Sequence, residues 1–248
     1  KVPTTYWCCV NCPGNPAAWK RHAVYHKKVK RHLVEDGGVT QQRDRELAVE
    51  AARLAAQSGD EYVELVAEGM RYQSQQDWRR AARAYRGAIA LRPDQSGAYF
   101  NLGAVLNSSG HRVEAAQRLL EAKGRMPAGS ETWASATAWA FSMLTREECA
   151  EVAKPEWWND EELKALSARV VRAVPDDGIA NSMRAVVLSG LGGDAWGVGP
   201  RSAAELKEAA TYYERAAALC GAPVVEAEYT SNAVACRRKA EAACPWPM

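Results

Sequence analysis

Residues 62–95 read YVELVAEGMRYQSQQDWRRAARAYRGAIALRPDQ, and residues 96–129 read SGAYFNLGAVLNSSGHRVEAAQRLLEAKGRMPAG. Laid one above the other, Leu65, Gly69, Tyr72, Ala81, Tyr85, Ala88 and Pro93 face Tyr99, Gly103, Leu106, Ala115, Leu119, Ala122 and Pro127, every pair at the same offset of 34 residues. A fixed period of this length marks a stacked helical repeat. Gly69 and Gly103 would let the first helix of each pair approach the second closely, and the paired alanines would do so from the other side. Tyr85 and Leu119 would fill the space between repeats, and Pro93 and Pro127 would end each second helix.

The composition of the whole chain agrees. Among 248 residues there are 46 Ala and only 2 Phe. Ala is the best helix former and a poor strand former, so the class is all-α. Hydrophobic residues at 47% and charged residues at 25% lie in the ordinary globular range, which excludes wholesale disorder. No stretch approaches the roughly 18 consecutive apolar residues of a membrane helix, so no integral membrane segment is expected.

The two repeats resemble the tetratricopeptide (TPR) family. The resemblance implies a right-handed helical-repeat solenoid of about four helix pairs plus capping helices, over residues 41–248. Repeats 62–95 and 96–129 are the clearest, and degenerate repeats follow over about 130–219. Trp133 to Leu144 reads as a further first helix, and its partner is delayed past Pro155 to about Asp160–Ala173, with Asn159 or Asp160 as N-cap and Pro175 as the stop. Ile179 to Leu191 and Ser202 to Leu219 read as the next pair, where Ala209, Tyr213 and Ala216 restore the spacing. A terminal helix is expected over about Val225–Ala243, and an extra helix over Gln41–Gln57 precedes the first repeat.

TPR arrays are binding scaffolds that use the concave surface of successive first helices. The matching positions here are Val63, Val66, Met70 and Gln73, then Gly97, Phe100, Ala104 and Asn107, then Glu131, Ala134, Ala138 and Phe141. Such a surface is small and apolar, suited to a helical or extended partner segment. Phe100, Phe141 and Met70 would be its anchors. Of the polar positions by which related arrays clamp a chaperone's terminal carboxylate only Asn101 is matched, so chaperone docking is disfavoured.

The head of the chain has a different character. Residues 1–34 carry Lys1, Lys20, Arg21, Lys27, Lys28, Lys30 and Arg31 and no acid. The net charge is +2, so the remainder, with 25 basic and 30 acidic residues, stands at −5. A basic head on a mildly acidic body suggests two modules, 1–38 and 41–248, with different partners. Cys9-x2-Cys12 is followed by thirteen residues to His26 and five more to His32, close to the spacing of a tetrahedral structural zinc site. His22 with His26 at i and i+4 is the alternative pair. The wider spacing resembles matrin-type or spliceosomal-RNP-type fingers, with Tyr6 ahead of the cysteines and Lys27-Lys28-Val29-Lys30-Arg31 between the histidines. Zn2+ is the expected cofactor, and it would supply the folding free energy that so short a segment lacks.

The other cysteines, Cys149, Cys220, Cys236 and Cys244, are scattered through helical segments and read as small buried hydrophobes in a reducing, intracellular compartment. Cytosol, nucleus and organelle are equally compatible with that reading. The chain begins at Lys1 rather than Met and is read as a fragment or a processed form, removal of an organellar targeting peptide being one route.

No phosphate-binding loop, His-Glu-x-x-His or Gly-x-Ser-x-Gly occurs. Gly190-Leu191-Gly192-Gly193-Asp194-Ala195 follows a predicted helix rather than a strand and reads as a loop. Glu147-Glu148 and Glu161-Glu162 read as solvated charge at helix starts. Trp157-Trp158 either bridges an irregular connection into the core or anchors a partner. The expectation is a non-catalytic interaction scaffold or accessory subunit of a multi-subunit complex. The alternative is an RNA-associated adaptor whose head (Lys20, Arg21, Lys27, Lys28, Lys30, Arg31) contacts phosphates while the repeats recruit proteins.

Overall fold

Asp60 sets the first turn of the described fold. Its carboxylate accepts the Tyr62 backbone N–H at 3.1 Å and so caps α1 (Glu61–Ser74), while Arg92 reaches back to the same carboxylate at 2.8 Å. The computed structural model describes residues 59–191 and 196–243, together with Glu46 and Glu50. Among these residues the regular elements are helices, with no strand. They fall into two compact units, one ending at Arg125 and the other starting at Met126, close to where the second clear repeat closes at residue 129. The expected finger module and nearly all of the helix expected over Gln41–Gln57 lie outside the described residues.

In the first unit α1, α2 (Trp78–Leu91), α3 (Ser96–Ser108) and α4 (Arg112–Arg125) each pack on the next. The repeat is visible at the level of single atoms. A Cβ added to Gly69 would stand 2.5 Å from the Tyr85 ring, and one added to Gly103 would stand 2.8 Å from Leu119 Cγ. Both large side chains are fully buried, each worth on the order of 1.5 to 3 kcal/mol. The turns repeat too. Asp77 N–H donates to Tyr72 O at 2.9 Å across Gln76 at φ 60, and His111 N–H donates to Leu106 O at 2.9 Å across Gly110 at φ 86. These two closures lie 34 residues apart, and the reversed bond satisfies a helix-end carbonyl in each.

The second unit contains α5 (Glu131–Leu144), a short 3-10 turn (Glu147–Cys149), α6 (Asp160–Ala173), α7 (Gly178–Ser189), α8 (Ala203–Ala218) and α9 (Pro223–Ala242). Here α7 packs on both α5 and α6, α8 packs on α7, and α9 covers α8 with a stripe of Ala233, Cys236 and Ala240. Asn159 is the N-cap of α6, its side-chain oxygen accepting the Glu162 N–H at 3.1 Å. α7 stops before the expected Leu191, because Gly190 at φ 68 turns the chain into the left-handed region. Ser202 and Glu205 form a capping box that starts α8.

Two polar latches inside the first unit have counterparts inside the second. Tyr85 Oη donates to Gln73 Oε1 at 3.0 Å, and Tyr213 Oη meets Ser189 Oγ at 3.3 Å. Tyr99 Oη donates to Pro93 O at 3.1 Å, and Asn181 Nδ2 donates to Pro175 O at 2.8 Å, in each case six residues back. Aligned on these latches, Ala185 takes the place of Gly69 and Ala209 that of Ala81. Gly69 and Ala81 are 12 residues apart and Ala185 and Ala209 are 24 apart, so the α7–α8 pair carries a twelve-residue insertion, Gly190 to Arg201.

Candidate partner-binding surface

The face expected to receive a partner is only partly open. On α1, Val63, Val66 and Met70 are half-buried. Val66 and Met70 lean on the core of Ala81, Tyr85, Leu102 and Leu106, and Val63 leans on that of Tyr62, Ala88 and Ala98. Gln73 is buried and committed to Tyr85. On α3, Asn107 is half-buried. The expectation that Phe100 stands out as an anchor is corrected: it is 3% exposed, with Gly97 and Ala104 also buried beside it. A helix inside a stack has neighbours on more than one side, and small residues recede from whatever strip is left. Asn101 is buried as well, and its Oδ1 makes no hydrogen bond.

The same correction applies in the second unit. Ala134, Ala138 and Phe141 are buried, while Glu131 is exposed. Phe141 is covered by Trp158 at a ring distance of 5.4 Å and by Trp196 at 5.7 Å, and Trp157 packs on Trp158 at 5.7 Å. Trp157-Trp158 therefore bridges the irregular connection into the core. The Lys154 ammonium lies 5.3 Å over the Trp158 ring and donates to Leu144 O and Cys149 O, at 3.0 and 2.9 Å. Burial lowers its pKa.

Trp196, which sequence reasoning passed over, is carried by the insertion and held by a half-buried ion pair. Its indole N–H donates to Asp160 Oδ1 at 3.3 Å. The Arg201 side chain is 6% exposed, forks onto both oxygens of Asp160 (2.7 Å to Oδ2) and donates to Val187 O at 2.9 Å. Lys164 joins Asp160 at 3.4 Å to Glu205 at 2.9 Å. The Arg201 guanidinium, helped by Trp196 and Lys164, holds the Asp160 carboxyl well below the usual carboxylate range. The Ser202 backbone N–H, followed by Lys164, lowers Glu205 to about 2. A lone Asp and a lone Arg forty-one residues apart leave no trace in a periodic pattern, which is why the pair escaped notice.

The metal ligands expected from spacing, Cys9, Cys12, His26 and His32 with His22 as the alternative, lie outside the described residues, as do Lys20, Arg21, Lys27, Lys28, Lys30 and Arg31 of the basic patch. Among the described residues no group of three or more His, Cys, Asp or Glu is placed to hold a metal ion, and no helix is long and apolar enough to cross a membrane. Cys149 and Cys236 are buried, Cys220 is half-buried, and burial raises the Cys236 pKa. In comparisons with known proteins, no family model matches the chain and no curated protein matches it.

Proposed function

We propose that the chain is a TPR-type interaction scaffold: a non-catalytic accessory subunit that binds a helical or extended partner segment along α1, with a zinc-stabilised basic head docking to a second component. The observation that carries this reading is the half-buried apolar strip of Val63, Val66 and Met70, which lies at the inward positions of the 34-residue register. The Gly69–Tyr85 and Gly103–Leu119 contacts support that register. The zinc reading rests on the Cys9-x2-Cys12 and His26-x5-His32 spacing, and a reducing compartment suits both thiolate ligands and the buried cysteines of the helices.

Affinity capture with the intact chain and with residues 41–248, each at low and high salt, tests the proposal. A protein retained by both forms and insensitive to salt supports a scaffold acting through its helices. Capture that needs the head and falls steeply with salt would favour the RNA-associated reading, because each phosphate contact releases counterions.

A further inference from the structure

α2 carries a charge pattern that the scaffold reading leaves unused. The helix holds Arg79, Arg80, Arg83 and Arg86 and no acid. At about 100° per residue, Arg79, Arg83 and Arg86 fall on one narrow stripe, and all three are exposed. The opposite face, with Ala81, Tyr85 and Ala88, is buried. Two arginines of the helix are already matched: Arg86 Nη2 donates to both oxygens of Glu114 on α4, at 2.8 and 3.0 Å, and Arg80 meets Asp77 at 3.5 Å. Among the described residues no ion pair joins Arg79 or Arg83 to an acid. Like charges at i and i+4 weaken a helix slightly, so this pair is a cost that the fold itself does not offset.

We propose that the Arg79–Arg83–Arg86 stripe is a second docking surface, one that takes an acidic segment of a protein partner. Arg79 and Arg83 are separated by about 6 Å along the helix, the spacing of two carboxylates at i and i+4 on a partner helix. Each guanidinium can donate charge-assisted hydrogen bonds to a carboxylate, as Arg86 Nη2 already does to Glu114. Single-stranded nucleic acid suits the stripe less well, because binding of that kind combines cations with open aromatic platforms for the bases. Here Tyr72 and Trp78 pack on the core, and the Tyr72 ring is already faced by Arg71 at 4.6 Å and Arg80 at 5.5 Å. The stripe lies on the second helix of its pair and does not depend on the apolar strip of α1.

The test uses the full-length chain with two probes, a fluorescent polyglutamate peptide and a polyuridine RNA, followed by anisotropy at low and moderate salt. Polyglutamate should bind, and Arg79→Gln with Arg83→Gln should weaken it by about threefold to tenfold, the size expected for two exposed ion pairs. Neutralising Lys27, Lys28, Lys30 and Arg31 should leave that difference between the two forms in place. Arg79→Lys with Arg83→Lys should recover part of the loss, which separates a charge effect from misfolding. Three results would overturn the proposal: no binding of polyglutamate, binding unaffected by the Arg79 and Arg83 changes, or an RNA affinity that depends on these two arginines more strongly than the peptide affinity does.

Discussion

Gly103 has no room for a side chain. Its Cβ would lie 2.8 Å from Leu119 Cγ and 3.3 Å from the Ala115 carbonyl oxygen, and the backbone cannot yield as a flexible side-chain tip can. Gly103→Leu should therefore cost about 1 to 3 kcal/mol through overpacking, read as a lowered midpoint in a urea melt. Gln76 offers the opposite experiment. It holds φ 60, where Gly110 stands in the next repeat at φ 86, and a side chain in that region costs on the order of 1 kcal/mol. Gln76→Gly should stabilise the first unit by a fraction of that amount, since glycine's extra freedom in the unfolded chain offsets part of the gain. Phe100, read from the sequence as a free anchor, is instead a core residue, and Phe100→Ala should cost about 3 to 5 kcal/mol in the same assay.

At the scale of elements, the insertion between α7 and α8 is fastened by Asp160 and Arg201. Asp160→Asn leaves the part-buried Arg201 guanidinium without its counter-charge and should destabilise the second unit by about 1.5 to 3 kcal/mol. The pair also fixes the direction of a pH effect. Asp160 and Glu205 both titrate below their unfolded values, so their stabilisation is complete above the ordinary carboxylate range. It is lost as pH falls from about 5 down through the folded values, near about 2 for Glu205. Melts of the wild-type protein and Asp160→Asn across that range should converge towards acid. Helix placement was legible where caps and stops are local: Asn159 and Pro175 bracket α6 as expected. The role of the insertion was not, because Trp196, Asp160 and Arg201 meet through tertiary geometry that no short window of sequence contains.

For the whole molecule, the 34-residue period contained the packing of the first unit down to which glycine faces which side chain, because period and contact are the same fact seen twice. The openness of the groove was not legible in the same way. Burial of Phe100 and Phe141 depends on what covers them, and for Phe141 that is two tryptophans lying outside the repeat positions. The head makes its own demand: the purified chain should contain about one zinc, and His32→Ala should release it if the wide spacing holds but leave it bound if His22 and His26 are the ligands. Elemental analysis without chelator reads both outcomes.

Under the proposed function, the chain binds a partner segment against the apolar strip of α1. The most direct measurement of this is a titration of the protein partner recovered by capture, comparing wild type with Val63→Glu and with Met70→Glu, alongside melts of each. A charge placed in an apolar contact should weaken the complex at least about tenfold while the half-buried site lets the fold survive. Equal affinity in all three proteins, with folding intact, would contradict it.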